Sequence, residues 1–398
     1  MKYLYLQSAL HHDPGMKQEA QTLFDYIGKE LNLSFAEGTA EEVGQEALSL
    51  VYIATGGTAG MAKAALPALN GMVVLVTSGS QNSLSASMET LTYLTQNGYR
   101  ARLLHGEMHE IADEMGALIR AARAKVTLNG KKMGLVGKPS DWLISTEMDY
   151  GQLKEKTGLD IVEIDMDELV REIEVGGYPD SAACRELLSH PFPKAEVDKA
   201  LDVYGALERL VERYGLSGVS VRCFDLLTLV KNTGCLGLSL LNGRGVFGGC
   251  EGDLPSLISM AILGEVSGQL VFQCNPSRVD KARNEIVFAH CTLPIQMPEH
   301  YELNTHFESG IGVAIAGEIP LGKVTIFKAS ADFSHWFLSA GEIVEDLHEP
   351  DLCRTQIRVV CDAPVEAFLN SHVGNHYLVC RGDWTESVQL FLDMLNEA

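Results

Sequence analysis

Short apolar runs alternate with longer amphipathic stretches through the first third of the chain. Residues 3–6, 48–54, 72–77 and 100–104 read as strands, the second running into Thr55-Gly56-Gly57-Thr58 and the third into Ser78-Gly79-Ser80. Between them, 16–31 carries Ala20, Leu23, Ile27 and Leu31 at helical spacing, 84–96 is helical, and 108–125 sets Ile111, Met115, Leu118, Ile119 and Ala122 on one face. Strands that are apolar almost throughout, separated by helices, predict a parallel sheet covered on both faces. A polar stretch at 127–132 reads as a linker, and the pattern then restarts. Residues 132–136, 159–164 and 218–223 read as strands, and 166–173 and 195–214 as helices. A loop with a short helix at 181–188 lies between them, and 253–263 follows as a helix with Asp253 at the N-cap and Pro255 in the first turn.

Beyond about residue 270 the texture changes. Seven β-prone runs (269–274, 285–291, 311–316, 323–329, 336–344, 355–361 and 375–380) follow one another between turns, and helix returns only at 384–398. The expected fold class is α/β: two doubly wound parallel-sheet (Rossmann-like) domains followed by a mostly antiparallel β domain. The corresponding domains are 1–127, 128–268 and 269–398.

Charge narrows the function classes. Lys and Arg total 31 against 53 Asp and Glu, a formal net charge of −22. Such a field repels phosphate backbones and anionic membrane surfaces, which argues against a nucleic-acid or membrane partner. A small anionic substrate stays open, because a local cationic pocket can outweigh the global field. The N-terminal segment has no apolar core of a signal peptide. The longest apolar stretches, 71–76 and 311–316, fall far below the roughly 18 residues of a membrane span. The nine cysteines include no C-x-x-C pair, and several sit in apolar runs. That suits reduced, buried thiols in a cytoplasmic protein rather than a disulfide framework or a zinc ribbon.

Candidate chemistry lies in a few segments. The loops at Thr55, Gly56 and Gly57 and at 78–80 follow strands, where parallel sheets bind ligands, yet neither is a dinucleotide fingerprint nor a phosphate loop. They read as tight turns or as contacts to a polyol. Gly248-Gly249-Cys250-Glu251-Gly252-Asp253-Leu254-Pro255 sets two acids among glycines just before a helix. There the acids can cap the helix or face a ligand. His290 ends one strand and His376 opens another. Carboxylate and imidazole donors without thiolates suit Mn²⁺ or Mg²⁺ better than structural zinc. In Gly137-Lys138-Pro139-Ser140-Asp141-Trp142, Lys138 could meet an anionic substituent and Trp142 could stack on a ligand; the alternative is a solvated turn with a packed Trp.

Three features in order carry a family resemblance: Cys250-Glu251-Gly252-Asp253 before a helix, Ala289-His290 about forty residues later, and Gly374-Asn375-His376 near the C-terminus. With the three-part architecture, the chain resembles the L-fucose isomerase and L-arabinose isomerase superfamily, although it is shorter than typical members. The resemblance implies a divalent metal, Mn²⁺ first with Mg²⁺ or Co²⁺ as alternatives. It implies aldose–ketose isomerisation of a small sugar through an enediol, and a homo-oligomer, trimer or hexamer. Glu251 takes the place of the metal-binding catalytic carboxylate, His376 that of the late His ligand, and His290 that of an additional His ligand. Asn375, Thr55, Gly56, Gly57, Lys138 and Trp142 are the expected substrate contacts, the first-domain loop reaching a neighbouring subunit's site.

The sequence departs from the family where a second carboxylate is expected. Position 275 is Asn, and the nearest acid is Asp280. Asn can offer a carbonyl oxygen to a metal but cannot act as a base at neutral pH. Either Glu251 moves the proton alone, or Asp253, Asp280, Glu308 or Asp225 fills the vacancy, or the fold hosts another activity. Glu251 and Asp253 are assigned as the catalytic pair and Asn275 as a metal ligand. The alternatives are a non-catalytic sugar-binding relative, or a metal-dependent epimerase or lyase acting on a sugar or sugar acid.

Overall fold

The computed structural model describes residues 1–13, 15–371 and 373–396. The last two residues of the expected helix 384–398, which also end the expected third domain, lie outside them. The chain divides into two compact units, Met1–Val126 and Thr127–Ala398.

In the first unit, strands β1 (Lys2–Leu6), β2 (Ala36–Glu37), β3 (Leu48–Ile53), β4 (Met72–Thr77) and β5 (Ala101–Leu104) form one parallel sheet in the order β2-β1-β3-β4-β5. Every residue of β3 and β4 is buried, the expected consequence of a sheet covered on both faces. Leu6, Val51, Ile53, Val73 and Leu75 pack with Ala86 and Leu94 of the helix Ser83–Gln96. The two-residue β2 lay below what an apolar pattern can signal.

The second unit begins with a parallel sheet. Strands β6 (Lys132–Val136), β7 (Asp160–Ile164), β8 (Leu216–Val221) and β9 (Phe247–Cys250) pair in the order β7-β6-β8-β9. The stretch Phe-Gly-Gly-Cys of β9 carries too few side chains to read as a strand. A Cβ on Gly248 would stand 2.9 Å from the Leu238 carbonyl, so glycine here lets the helix Cys235–Gly243 press against the sheet.

Antiparallel strands follow. β10 (Val271–Asp280) and β11 (Glu285–His290) come first; β12 (His300–Asn304) and β13 (Ala314–Glu318) form a separate two-stranded ribbon. β14 (Gly322–Ala329), β15 (Trp336–Asp346), β16 (Thr355–Cys361) and β17 (Tyr377–Arg381) complete a closed barrel with the first pair, in the order β10-β11-β16-β15-β14-β17. The architecture is thus the one the pattern predicts, two parallel sheets with helices and then antiparallel β, and the last part closes so that it has no edge strand. One core runs through the second unit, from Val136, Val219 and Leu238 on the sheet side to Phe288, Ile326 and Val379 in the barrel. The helix Leu254–Ser267 links the two layers and is buried on all sides save Glu265, which pairs with Lys131 at 2.5 Å.

Candidate metal centre

The last parallel strand delivers the first functional side chain. β9 ends at Cys250, and the chain turns through Glu251 and Gly252 into the helix Leu254–Ser267. Both turn residues are left-handed, φ 64° and 68°. At Gly252 a Cβ would lie 2.5 Å from the Lys138 carbonyl, so only glycine fits. Glu251 has no such excuse. A non-glycine residue there carries strain of roughly 1–3 kcal/mol, and the surroundings hold it. Its carbonyl accepts from Ser140 N at 2.9 Å, Gly252 N donates to Val221 O at 3.1 Å, and Asp253 N donates to Cys250 O at 3.2 Å. Gln273 Oε1 also accepts from Cys250 N at 2.9 Å, tying the end of β9 to β10.

The barrel rim delivers the rest. Asn275 lies opposite Ala289 on β11, and Cys274 lies opposite Tyr377 on β17. His290 ends β11 and His376 immediately precedes β17, so the three positions meet at one end of the barrel. One donor atom each of Glu251, His290 and His376 lies within 4.8 Å of the others, and all three residues are buried. The imidazoles sit 5.6 Å apart at 80°.

Both rings are anchored through Nδ1. His376 Nδ1 donates to Asp253 Oδ2 at 2.8 Å, and His290 Nδ1 bonds Thr292 Oγ1 at 2.7 Å. Such anchoring leaves Nε2 for an ion. His376 Nε2 stands 3.8 Å from Glu251 Oε1, too far for a hydrogen bond, and is buried without a partner. Asn275 Oδ1 is likewise buried and unpartnered. Asn275 Oδ1 is a buried acceptor left unpaired, and His376 Nε2 faces Glu251 Oε1 without reaching it; both are costly unless something completes them. The two imidazoles and the carboxylate fit a first-row divalent cation.

Behind His376 lies a wholly buried ion pair. Asp253 caps the helix Leu254–Ser267, with Oδ1 accepting from Ser256 N at 2.8 Å and standing 3.3 Å from Lys328 Nζ. Its Oδ2 accepts from Ser256 Oγ at 2.6 Å as well as from His376. Lys328 Nζ reaches Ser256 Oγ at 2.5 Å. Burial pushes the Asp253 carboxyl up, but Lys328 and His376 outweigh it and hold the group well below the ordinary range. Burial likewise favours a neutral His376, yet Asp253 and Glu251 win and raise it to about 9 in the ion-free protein. His290, with burial dominant and His376 adding to it, is pushed down to about 3 and is neutral. For Glu251, burial pushes upward, and His376, Trp142 and His290 overcome it and hold the carboxyl below its usual value.

Trp142 stands over the cluster. Its Nε1 donates to Glu251 Oε2 at 2.6 Å, its ring meets Phe224 edge-on at 4.9 Å, and Phe224 meets His306 at 5.5 Å. Trp142 is 54% exposed, so this side of Glu251 faces outward. Lys138 and Asn375 are exposed on segments that flank the cluster in sequence. Thr55, Gly56 and Gly57 belong to the first unit, at the C-terminal end of β3. There Thr55 Oγ1 accepts from Ser8 N at 2.9 Å, Gly56 N donates to Gln81 O at 2.8 Å, and Gly57 is exposed. Thr55 itself is buried, its hydroxyl spent inside the loop.

Of the other acids two are held elsewhere, while Glu308 lies within the field of Glu251: burial first and then the Glu251 charge raise its carboxyl above the ordinary value. Asp225 pairs with Arg222 at 3.0 Å, Asp280 accepts from the backbone of the turn after β10, and Glu308 is exposed. Three participants went unread in the sequence. Lys328 was signalled only as a lysine inside an apolar strand, Thr292 by its place two residues beyond His290, and Phe224 not at all.

A parallel sheet ending at a carboxylate meets a barrel rim bearing two histidines, and the buried Glu251, His290 and His376 group could hold a metal ion. No family model matches the chain. It is 24% identical over 307 residues to a protein of Clostridium sp. (strain MSTE9) named sulfoquinovose isomerase, covering 73% of this chain and 68% of that one. Proteins of the same name from Priestia aryabhattai and Priestia megaterium (strain ATCC 12872 / QMB1551) are each 23% identical over 334 residues, covering 79% of this chain and 74% of theirs.

Proposed function

We propose that this protein is an aldose–ketose isomerase that uses a divalent metal. One observation carries the reading: the buried Glu251, His290 and His376 cluster, with His376 Nε2 and Asn275 Oδ1 left unpartnered, in a chain similar over most of its length to proteins named as sugar isomerases. The donors present would hold the ion through Glu251, His290 and His376, with the Asn275 amide oxygen as a neutral fourth group. When bound, such an ion supplies Lewis-acid polarisation of the sugar's carbonyl and hydroxyl oxygens. Glu251 is the carboxylate placed to take the proton from carbon. Asp253 belongs to the supporting layer: with both oxygens occupied, it orients His376. The exposed face of Trp142 offers a sugar a stacking surface, and Lys138 and Asn375 offer polar contacts beside it. A sulfonated sugar is the first substrate to try, because the relatives' name specifies one. We also read the assembly as a trimer or hexamer, which native mass spectrometry tests.

The decisive experiment is elemental analysis of the purified protein and of Glu251→Gln and His376→Ala, followed by an aldose panel including sulfoquinovose read by NMR. The expected result is about one divalent ion per chain, lost in the variants, and ketose as product. Absence of metal from wild type after incubation with Mn²⁺ would overturn the reading. An epimer or a cleaved product would move it to epimerase or lyase.

A further inference from the structure

Aldose–ketose isomerisation by proton transfer requires a base at C2 and an acid at C1. The structure supplies one carboxylate where such enzymes could use two. Among the described residues, Glu251 alone contributes a carboxylate to the buried cluster. Asn275 has no proton to exchange near neutrality. Asp253 is enclosed by Ser256, Lys328 and His376, and protonating it would leave the buried Lys328 ammonium without its counter-charge. Asp225 is committed to Arg222 and Asp280 to its turn, and Glu308, though it feels the Glu251 charge, is exposed and outside the buried cluster. The two oxygens of Glu251 are also unlike. Oε1 faces His376, whereas Oε2 lies toward exposed Trp142 and holds only that neutral N–H, which leaves a lone pair on the side a sugar would approach.

We propose, resting on the isomerase reading above, that Glu251 alone carries hydrogen between C2 and C1, on one face of the sugar chain. Its carboxylate takes the C2 proton. The C–H electron pair becomes the C1=C2 bond, and the carbonyl π pair moves to O1, which gains a proton from water. The enediol then loses the O2 proton to water as C2=O forms, and the C1=C2 pair takes the proton back from the Glu251 carboxyl at C1. Water is returned unchanged, and no oxidant or reductant enters. A single carrier must remove and deliver on the same face. Two groups on opposite faces would not, and a hydride shift would admit no solvent hydrogen at all.

The test uses the metal-loaded full-length protein with two probes: [2-²H]sulfoquinovose in H₂O and unlabelled sulfoquinovose in D₂O. Product is read by NMR for the position and prochiral face of deuterium at C1. The expected result is solvent deuterium at C1 on the face from which C2 was deprotonated. The 2-deuterated sugar should return a fraction of its label to that same C1 position. Glu308→Gln and His306→Gln, the nearest alternative proton carriers, should keep this stereochemistry and change turnover by less than about tenfold, against the roughly 10²–10⁴-fold loss when a true acid–base group is removed. Glu251→Asp, which retains a carboxylate, should lower turnover yet preserve the face. Delivery to the opposite face would overturn the proposal, as would complete retention of label without solvent incorporation, or collapse of turnover in Glu308→Gln or His306→Gln. Wild type that converts no sulfoquinovose would instead count against the substrate and isomerase reading on which the proposal stands.

Discussion

Glu251 occupies a conformation that its residue type disfavours, and Trp142 is one of the contacts that make the side chain's position definite. Trp142→Phe keeps a ring against Phe224 but deletes the N–H. A hydrogen bond to a charged group is worth a net 1.5–3 kcal/mol when buried, and this one is half exposed. Mn²⁺ affinity by calorimetry should fall about tenfold, whereas a purely stacking role would leave it unchanged. His376 adds a pH signature. In the ion-free protein its value is raised from 6.5 to about 9, so its contribution to stability is whole below about pH 6.5 and drains away as pH climbs through 9. Melting temperatures of chelator-treated protein should therefore fall from pH 6.5 to 9 by more than those of His376→Gln. A cation must displace this same proton, so Mn²⁺ affinity should rise with pH across that window and release protons measurable in buffers of differing ionisation enthalpy.

At the scale of elements, the helix Leu254–Ser267 is pinned by the group that also orients His376. Asp253→Ala removes an N-cap and strands Lys328 in the core. Breaking a buried pair typically costs 3–5 kcal/mol, whereas replacing both members by apolar groups is often neutral. Denaturant unfolding should show Asp253→Ala destabilised by about 3–5 kcal/mol, with part of the loss recovered in the double variant Asp253→Ala/Lys328→Met. Equal or greater loss in the double variant would mean that the pair is not what links these elements. Gly252→Ala should cost more than an ordinary loop substitution, because its Cβ would meet the Lys138 carbonyl at 2.5 Å.

At the scale of the molecule, the net charge of −22 opposes an anionic sugar at long range. Salt screens that repulsion over about 8–10 Å near physiological ionic strength. For sulfoquinovose, kcat/KM should rise as NaCl is added from low salt, while a neutral aldose of the same shape should show no such trend. A flat response would mean that local cations already cancel the global field. Among the described residues, no helix is long and apolar enough to cross a membrane.

Periodicity determined the strands and helices whose burial is continuous, such as β3, β4 and the helix Leu254–Ser267, because repeated burial leaves a repeated pattern. It could not show β9, whose Gly-Gly core has almost no side chains to be patterned, nor the two-residue β2. Residue type and order named Glu251, Asn275, His290 and His376 as candidates. That Glu251, His290 and His376 lie together depends on a parallel sheet ending against one rim of a closed barrel, a contact among residues far apart in sequence. Tertiary structure alone decided that Asp253 turns inward to Lys328 and His376 while Glu251, two residues earlier, turns outward to Trp142. Two carboxylates alike in sequence differ because one is enclosed with a buried ammonium and the other is held by the N–H of a half-exposed indole.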